Sequence, residues 1–452
     1  MGPEFRRNLW LELSTQRMVL ALILLALVFF AAALSGRDGV TPAAVATFLY
    51  YMVVVIWGTR SAALAVVGEI RDRTWDAQRL SSLGASQMLW GKLFGSTVYN
   101  WFIGGICLAV MTVHAAVHRG PGAALMDLIY YLAIGLIAQA MALLASLIAV
   151  RRRQSHSRTE IFLYQFAGLL AAVAVFAVWE AANPGAALLA KVHADVVPWW
   201  GEDFAARGFL LVSLAVFAGW TLLGCYREMR LELQMQNGPL VWLAFLAFIG
   251  LYVAGFDAFL SRDSLAAGWD AVALRLGLAA STYATLSYVM VLLDPKDRVH
   301  FRWLGTQLVS GRIGAALMGL DSFMMSYIAA FLSSAALVAY LLTRLPPQSA
   351  SAALVAAGTG FLTRDVAIFV VMHTRSARQR GDMSAVIALF ALYVLVPSIL
   401  DGLGMARALV LFYPQPVLPV WLSPAIAWAE GLAVAAFATR RIALTRAPAA
   451  DG

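Results

Sequence analysis

The chain has 452 residues, of which 62% are apolar and only 13% charged, with a net charge of +8 and a mean hydropathy of +0.78. Soluble domains carry about 25% charged residues, so this composition excludes a soluble enzyme and points to the bilayer. The basic residues are spread over several short segments rather than gathered in a patch, so no nucleic acid is expected as a partner.

A helix that crosses hydrocarbon needs roughly 20 mostly apolar residues, because it must satisfy its own backbone hydrogen bonds. In chain order such stretches run from about Met18 to Leu34, Ala43 to Val67, Leu93 to Val117, Ala123 to Val150, Ile161 to Trp179 and Phe209 to Cys225. A second set runs from about Leu240 to Gly255, Ala271 to Leu293, Phe323 to Leu342, Ala352 to Met372, Val386 to Leu400 and Leu422 to Ala438. The segment Met1 to Arg17 lacks a small-residue cleavage site, so no signal peptide is expected. Cys107 and Cys225 fall in or at the end of spans without partner spacing and imply neither a disulfide nor a metal site.

Arginine and lysine in short loops mark the cytoplasmic side. With a cytoplasmic N-terminus, about 23 of the 33 basic residues lie on that side, and Arg60, Arg275 and Arg364 lie within spans. Both termini are therefore expected in the cytoplasm of a cell with a bacterial inner (plasma) membrane. Arg60 is expected to snorkel to the cytoplasmic surface, and Arg275 and Asp270 to the outer one.

Two sets of six spans suggest a duplication. Leu11-Glu12-Leu13-Ser14-Thr15-Gln16 recurs as Leu231-Glu232-Leu233-Gln234-Met235-Gln236. After the second span of each half comes a polar segment, Gly68 to Lys92 and Asp294 to Arg312, each with an Asp-Arg pair near its start and a Gly followed by a base near its end. An even number of spans per half keeps both copies in one orientation. The expected fold class is an all-α integral membrane protein with about 12 transmembrane helices in two parallel six-helix repeats, a pseudodimer in one chain. The halves are residues 1–225, with coupling segment 69–92, and 226–452, with interface helix 226–238 and coupling segment 294–312. The longest outer connections, Pro184 to Arg207 and Gly402 to Val420, carry Pro and aromatic residues suited to headgroup depth.

The segment 69–92 mixes apolar Ile70, Trp75, Leu80 and Leu83 with Arg71, Asp72, Arg73, Asp76 and Arg79, a pattern for a helix lying across the membrane face toward a soluble partner. The run Glu69-Ile70-Arg71-Asp72-Arg73-Thr74-Trp75, then Leu80, then Gly91-Lys92-Leu93, resembles the coupling segment of exporter-type ABC transporter permeases of the ABC-2-like kind. The helix holding Glu12 and Gln16 is similar to that family's interface helix, and six spans with an extracellular helical insert before the sixth are its usual half. The resemblance implies a permease without its own nucleotide site, worked by two copies of a separate cytosolic ABC ATPase that hold the ATP and Mg. It implies coupling through Glu69, Arg71, Asp72, Arg73, Trp75 and Arg79, and in the second half through Asp297, Arg298 and Arg302, where the matching Glu and Thr are missing. In keeping with this, no G-x-x-x-x-G-K-[ST] phosphate loop occurs. The expected cargo is amphipathic or lipidic, surrounded by membrane lipid.

Charges inside spans are costly and mark a lock or a pathway. Arg364 and Glu430 each lie ten residues before a polar boundary, about 15 Å deep at 1.5 Å per residue, and are expected to pair, with Asp365 as a further partner. Of the histidines, His156, His193, His300 and His373 are scattered, and only His114 and His118 share a helix face; with no third ligand, no metal is expected. The alternative function is an ion-coupled twelve-span secondary transporter, against which stand the short connection Tyr226 to Gly238 and the missing Gly-Asp-Arg-Gly signature. The topology is tested with cysteines introduced into a background lacking Cys107 and Cys225. An impermeant maleimide added to intact cells is expected to label Asp38→Cys and to spare Gln154→Cys; the opposite pattern inverts the topology.

Overall fold

The structure is a computed structural model that describes residues 2–35, 39–81, 83–151, 158–181, 196–256, 269–294, 296–344, 346, 350–375 and 381–444. Among these, eleven helices are long and apolar enough to cross a membrane. The chain is a multi-pass, all-α membrane protein. It divides into two compact units, the first made of 1–197 and 203–237 and the second of 198–202 and 238–452.

The first unit begins with a short helix, α1 (Pro3–Glu12), followed by α2 (Thr15–Leu34) and α3 (Pro42–Arg71). The serine and threonine before these last two satisfy backbone donors that no turn of helix can: Ser14 accepts from the Arg17 N–H and Thr41 from the Ala44 N–H, with Pro42 preset for the first turn. Helix α3 ends at Arg73, which adopts a left-handed φ of 58° so that its own N–H and that of Thr74 close back on Ile70 and Glu69. Short α4 (Trp75–Arg79) and α5 (Ala85–Ser96) follow, then α6 (Val98–Arg119), α7 (Pro121–Arg151), α8 (Arg158–Ala181) and α9 (Ala206–Glu232). Helix α7 is the centre, packed by α3, α6, α8 and α9, with Ile134, Ile137, Leu143 and Leu147 in its core.

Within α3 the α-helical bonding widens into a π turn over Tyr51–Trp57. Such a turn disturbs the regular ladder and leaves carbonyls poorly satisfied. Three amide side chains from three helices supply donors there. Asn100 of α6 donates to the Val53 carbonyl at 2.9 Å, Gln139 of α7 to Val54 at 2.9 Å, and Gln165 of α8 to Ile56 at 3.0 Å. Gln139 in turn accepts from the Trp101 indole at 2.8 Å.

The second unit contains α10 (Leu240–Ala254), α11 (Ala271–Leu293), α12 (Arg298–Val309), α13 (Ile313–Met318), α14 (Ser322–Arg344) and α15 (Ala350–Arg375). Helix α16 starts at Gly381, passes through a π turn at Ala391–Leu395 and ends at Gly402; after a 3-10 turn at Ala406–Leu411 comes α17 (Leu422–Leu444). Here α15 is the packed helix, contacting α11, α14, α16 and α17. Asp270 caps α11, accepting from the Ala273 N–H and from the Tyr340 hydroxyl at 2.5 Å, and these bonds, the hydroxyl's first, hold its carboxyl below the usual range. Arg275 lies 4.6 Å from the Trp200 ring, a cation–π contact. Arg60 is exposed on α3.

Several expectations change. The stretch 240–255 forms a helix of only 15 residues, about 22 Å long at 1.5 Å per residue, short of the roughly 30 Å hydrocarbon core. Residues 226–232 are not a separate interface helix but the end of α9, which nothing interrupts until Gln234 turns left-handed at φ 63°. The unit boundary accordingly falls at 237/238 instead of 225/226. Before α9 residues 196–205 form a hairpin, β1 (Val196–Trp199) and β2 (Glu202–Ala205); Trp200 and Gly201, both at positive φ, make the tight turn that matches strand twist. Residues 184–195, His156, His193 and Pro295 lie outside the described residues.

If the π turn is held by its amide donors, Gln139→Leu, which preserves bulk, strips both the Val54 carbonyl and the Trp101 indole of a partner. It is expected to cost about 1–3 kcal/mol per buried group left unpaired, read as a lower unfolding midpoint in detergent. Phe48→Leu, at an exposed position on the same helix, should leave the midpoint unchanged.

Candidate functional site

Two buried clusters of ionised side chains stand out, one in each unit. The first begins with glycine. Gly91 and Gly95 share one face of α5, and a Cβ on either would meet α1: Glu4 Cγ at 2.5 Å from Gly91, Asn8 Cβ at 2.8 Å from Gly95. Without side chains at these points α1 lies directly against α5, and the Asn8 amide donates to the Gly91 carbonyl at 3.1 Å. That approach buries Glu4 and Lys92, which are 4% and 1% exposed.

Lys92 then bridges two carboxylates. Its Nζ lies 2.7 Å from Glu4 Oε1 and also bonds Glu69 Oε2 from the end of α3. Arg7 closes the ring, 3.0 Å from Glu4 and 2.5 Å from Glu69, and the Gln78 amide donates to Glu69 at 2.7 Å. The buried Trp75 ring lies beneath Lys92, its centroid 5.6 Å from the ammonium. Two acids and two bases balance, and two of the three donors of Lys92 go to charged partners, which is the condition under which a buried ion is tolerated.

This geometry revises the expected roles of the 69–92 segment. Glu69 and Trp75 face inward, into the unit, rather than toward a partner. Arg71, Asp72 and Arg73 are exposed at the turn after α3, joined by Asp76 and by Leu80, whose side chain is 88% exposed. Arg79 is half-buried and 3.8 Å from Asp76. The segment is not one amphipathic helix, because the left-handed turn at Arg73 and Gly84 at the start of α5 break it into three pieces. In the second unit Asp297 caps α12, its carboxylate accepting from the Val299 N–H at 3.0 Å, and Arg298 and Arg302 are half-exposed on that helix. Asp294 is buried and accepts from the Phe323 N–H at 2.9 Å, joining the end of α11 to the start of α14. Helix α12 is a continuous 12-residue element with Phe301 and Leu304 buried and Val299, Trp303, Leu308 and Val309 exposed.

The second cluster lies between α15 and α17. Gly360 and Gly431 again permit close approach: a Cβ on Gly360 would meet the Ala427 backbone at 2.9 Å, and one on Gly431 the Gly360 carbonyl at 2.9 Å. Arg364, 2% exposed, reaches Glu430 at 2.8 Å and its neighbour Asp365 at 3.1 Å, and donates to the Leu411 carbonyl at 3.2 Å. Asp365 is fully buried; its second oxygen accepts from the hydroxyls of Tyr288 at 2.8 Å and Tyr393 at 2.5 Å. Tyr393 belongs to the π turn of α16. The structure thus brings Arg364, Asp365 and Glu430 together, as their depth in the sequence suggests, and adds two tyrosines that carried no sequence signal. One base faces two acids here, so Glu430, a third exposed, is the acid with access to its surroundings.

No group of three metal-ligating side chains occurs among the described residues. His114 and His118 stack at 4.1 Å, with the His118 ring turned to the His114 carbonyl. Glu4 and Arg7 were missed from sequence because nothing in a ten-residue helix says which distant residue it will meet; the Gly91-x-x-x-Gly95 spacing was the available signal.

Lys92→Met removes the buried one of the two bases that touch both acids. It is expected to lower stability by about 3–5 kcal/mol, the usual cost of orphaning a buried charge, and to expose the α1–α2 turn to trypsin at Arg17. A melting curve and digestion pattern equal to wild type would show the cluster to be unimportant. Compared with known proteins, the chain matches no family model, no curated protein and no solved structure.

Proposed function

We propose that the chain is the membrane-spanning permease of an ATP-driven, ABC-type exporter, moving an amphipathic or lipidic substrate by alternating access. On this reading it lies in a bacterial inner membrane with both termini cytoplasmic, the short α10 crossing as a twelfth segment in a locally thinned bilayer. Its power comes from two copies of a separate cytosolic ATPase, which bind the ATP and Mg. The two units are the two repeats of one fused pseudodimer.

The observation that carries the proposal is the way the segment after α3 is mounted. Arg71, Asp72, Arg73 and Asp76 present an exposed charged edge, while the residues on either side, Glu69 and Trp75, are tied into the buried cluster with Lys92 and α1. A push on that edge would pass to α3 and α1 together, since ionic and aromatic contacts hold them as one block. The second unit offers α12 in the corresponding position, with exposed Trp303 beside half-exposed Arg298 and Arg302. In support of the repeat, the helix of the fourth apolar stretch of each unit, α7 and α15, is its packed centre.

A second reading, an ion-coupled carrier, is favoured by the Arg364, Asp365 and Glu430 cluster, because intramembrane acids with a partly open face serve proton relays. Co-purification separates the two. Wild type is expected to bring down a nucleotide-binding protein with ATPase activity, and Arg71→Ala combined with Asp72→Ala and Asp76→Ala to lose it while remaining folded. If neither form carries an ATPase, and Glu430→Gln abolishes proton-dependent uptake, the carrier reading replaces the ABC one.

A further inference from the structure

Beside the contact of α1 with α5 lies a cavity of about 680 Å³. It is lined by Phe5 of α1, by Ser86, Gln87, Trp90 and Phe94 of α5, and by Trp101 of α6. Along the chain these last residues recur at spacings of three and four, so they form a stripe on one side of α5 that continues onto α6. The stripe is apolar and aromatic, with Trp90 and Phe94 stacked at 5.5 Å. Its polar members, Ser86 and Gln87, sit together at the end away from the membrane-spanning helix.

Three observations identify what fills it. The cavity's inner end is built by Val98 and Trp101, the first turns of α6, so it opens where the chain enters hydrocarbon. Helix α1 turns Trp10 and Leu11 outward at 86% and 62% exposure, as a helix lying at the headgroup boundary does. Arg6, next to Phe5, is exposed and makes no ion pair among the described residues, whereas Arg7 is consumed by the buried cluster. An apolar slot that opens where the chain enters hydrocarbon, polar at one end, with the exposed Arg6 one residue along the chain from its lining Phe5, fits a lipid acyl chain under an anionic headgroup.

We infer that this cavity is a binding site for one acyl chain of an anionic membrane phospholipid, inserted between α1 and α5. The bound chain covers Phe5, Trp90 and Phe94 beside the contact that the ion cluster holds. The inference does not depend on the ABC reading, since lipid occupancy needs no ATPase.

The test is photo-crosslinking of the full-length protein in phosphatidylglycerol vesicles that contain a diazirine-bearing acyl chain, followed by peptide mapping. Adducts are expected on the peptides holding Phe5 and Trp90 to Phe94, and to survive exchange into detergent. Ser86→Phe or Val98→Phe, each of which fills the slot, should reduce those adducts by about tenfold. Val113→Phe, on the exposed side of α6, should leave them unchanged. The two filling variants back each other should one misfold, as judged by its melting curve. Adducts that persist undiminished in a folded filling variant overturn the proposal. So do adducts confined to other exposed helix faces, and so does a protein dimer by light scattering with no lipid adduct at the cavity, which would give the site to a second copy of the chain.

Discussion

Hydrocarbon offers no partner to a polar group, and nearly every particular of this molecule answers that constraint. Helices satisfy their own backbones, and eleven long apolar helices stand among the described residues. Where the ladder departs from regularity, at the π turn of α3, the amides of Asn100, Gln139 and Gln165 take over its carbonyls. Each of these side chains is worth little in water, but in a dry site each brings a donor to a carbonyl of the widened ladder and so becomes structural.

The same constraint governs the charges. Lys92 and Arg364 are both almost fully buried bases that each touch two carboxylates, and both sit beside glycines that let two helices meet without intervening side chains. The order of causes runs from small residue to close approach to burial to pairing. Removing one partner leaves a bare charge in a dry place, whereas removing the pair together is far less costly. The clusters differ in balance: the one on α1, α3 and α5 has equal numbers of acids and bases, and the one on α15 and α17 has a surplus acid in Glu430. The first is suited to holding a block together, the second to a group whose charge matters to its surroundings.

Coupling in the proposed permease would use the first cluster as a rigid joint. A force on the exposed Arg71–Asp76 edge meets no soft element before reaching Lys92 and α1, because Glu69 and Trp75 flank the edge and are both fixed from within. The acyl-chain site beside the α1–α5 contact would then place bilayer lipid next to the same joint.

Much of this protein was written locally in the chain. Length and hydropathy located the spans within a few residues, since a membrane helix depends on its own composition alone, and the depth of Arg364 and Glu430 from the polar boundaries suggested their meeting. Where the outcome hinged on a partner elsewhere in the sequence, local reading failed. Glu69 looked like a surface contact and is a half-buried bridge, because Arg7 lies 62 residues before it and Lys92 23 after it, a proximity that only packing creates. Residues 226–232 looked like a fresh interface helix and simply extend α9, because no breaker stands between them and the span. The sequence by itself determined which segments enter the membrane; the tertiary structure decided which charges meet there, since a buried ion is stable only beside a counter-ion that the fold must bring from afar.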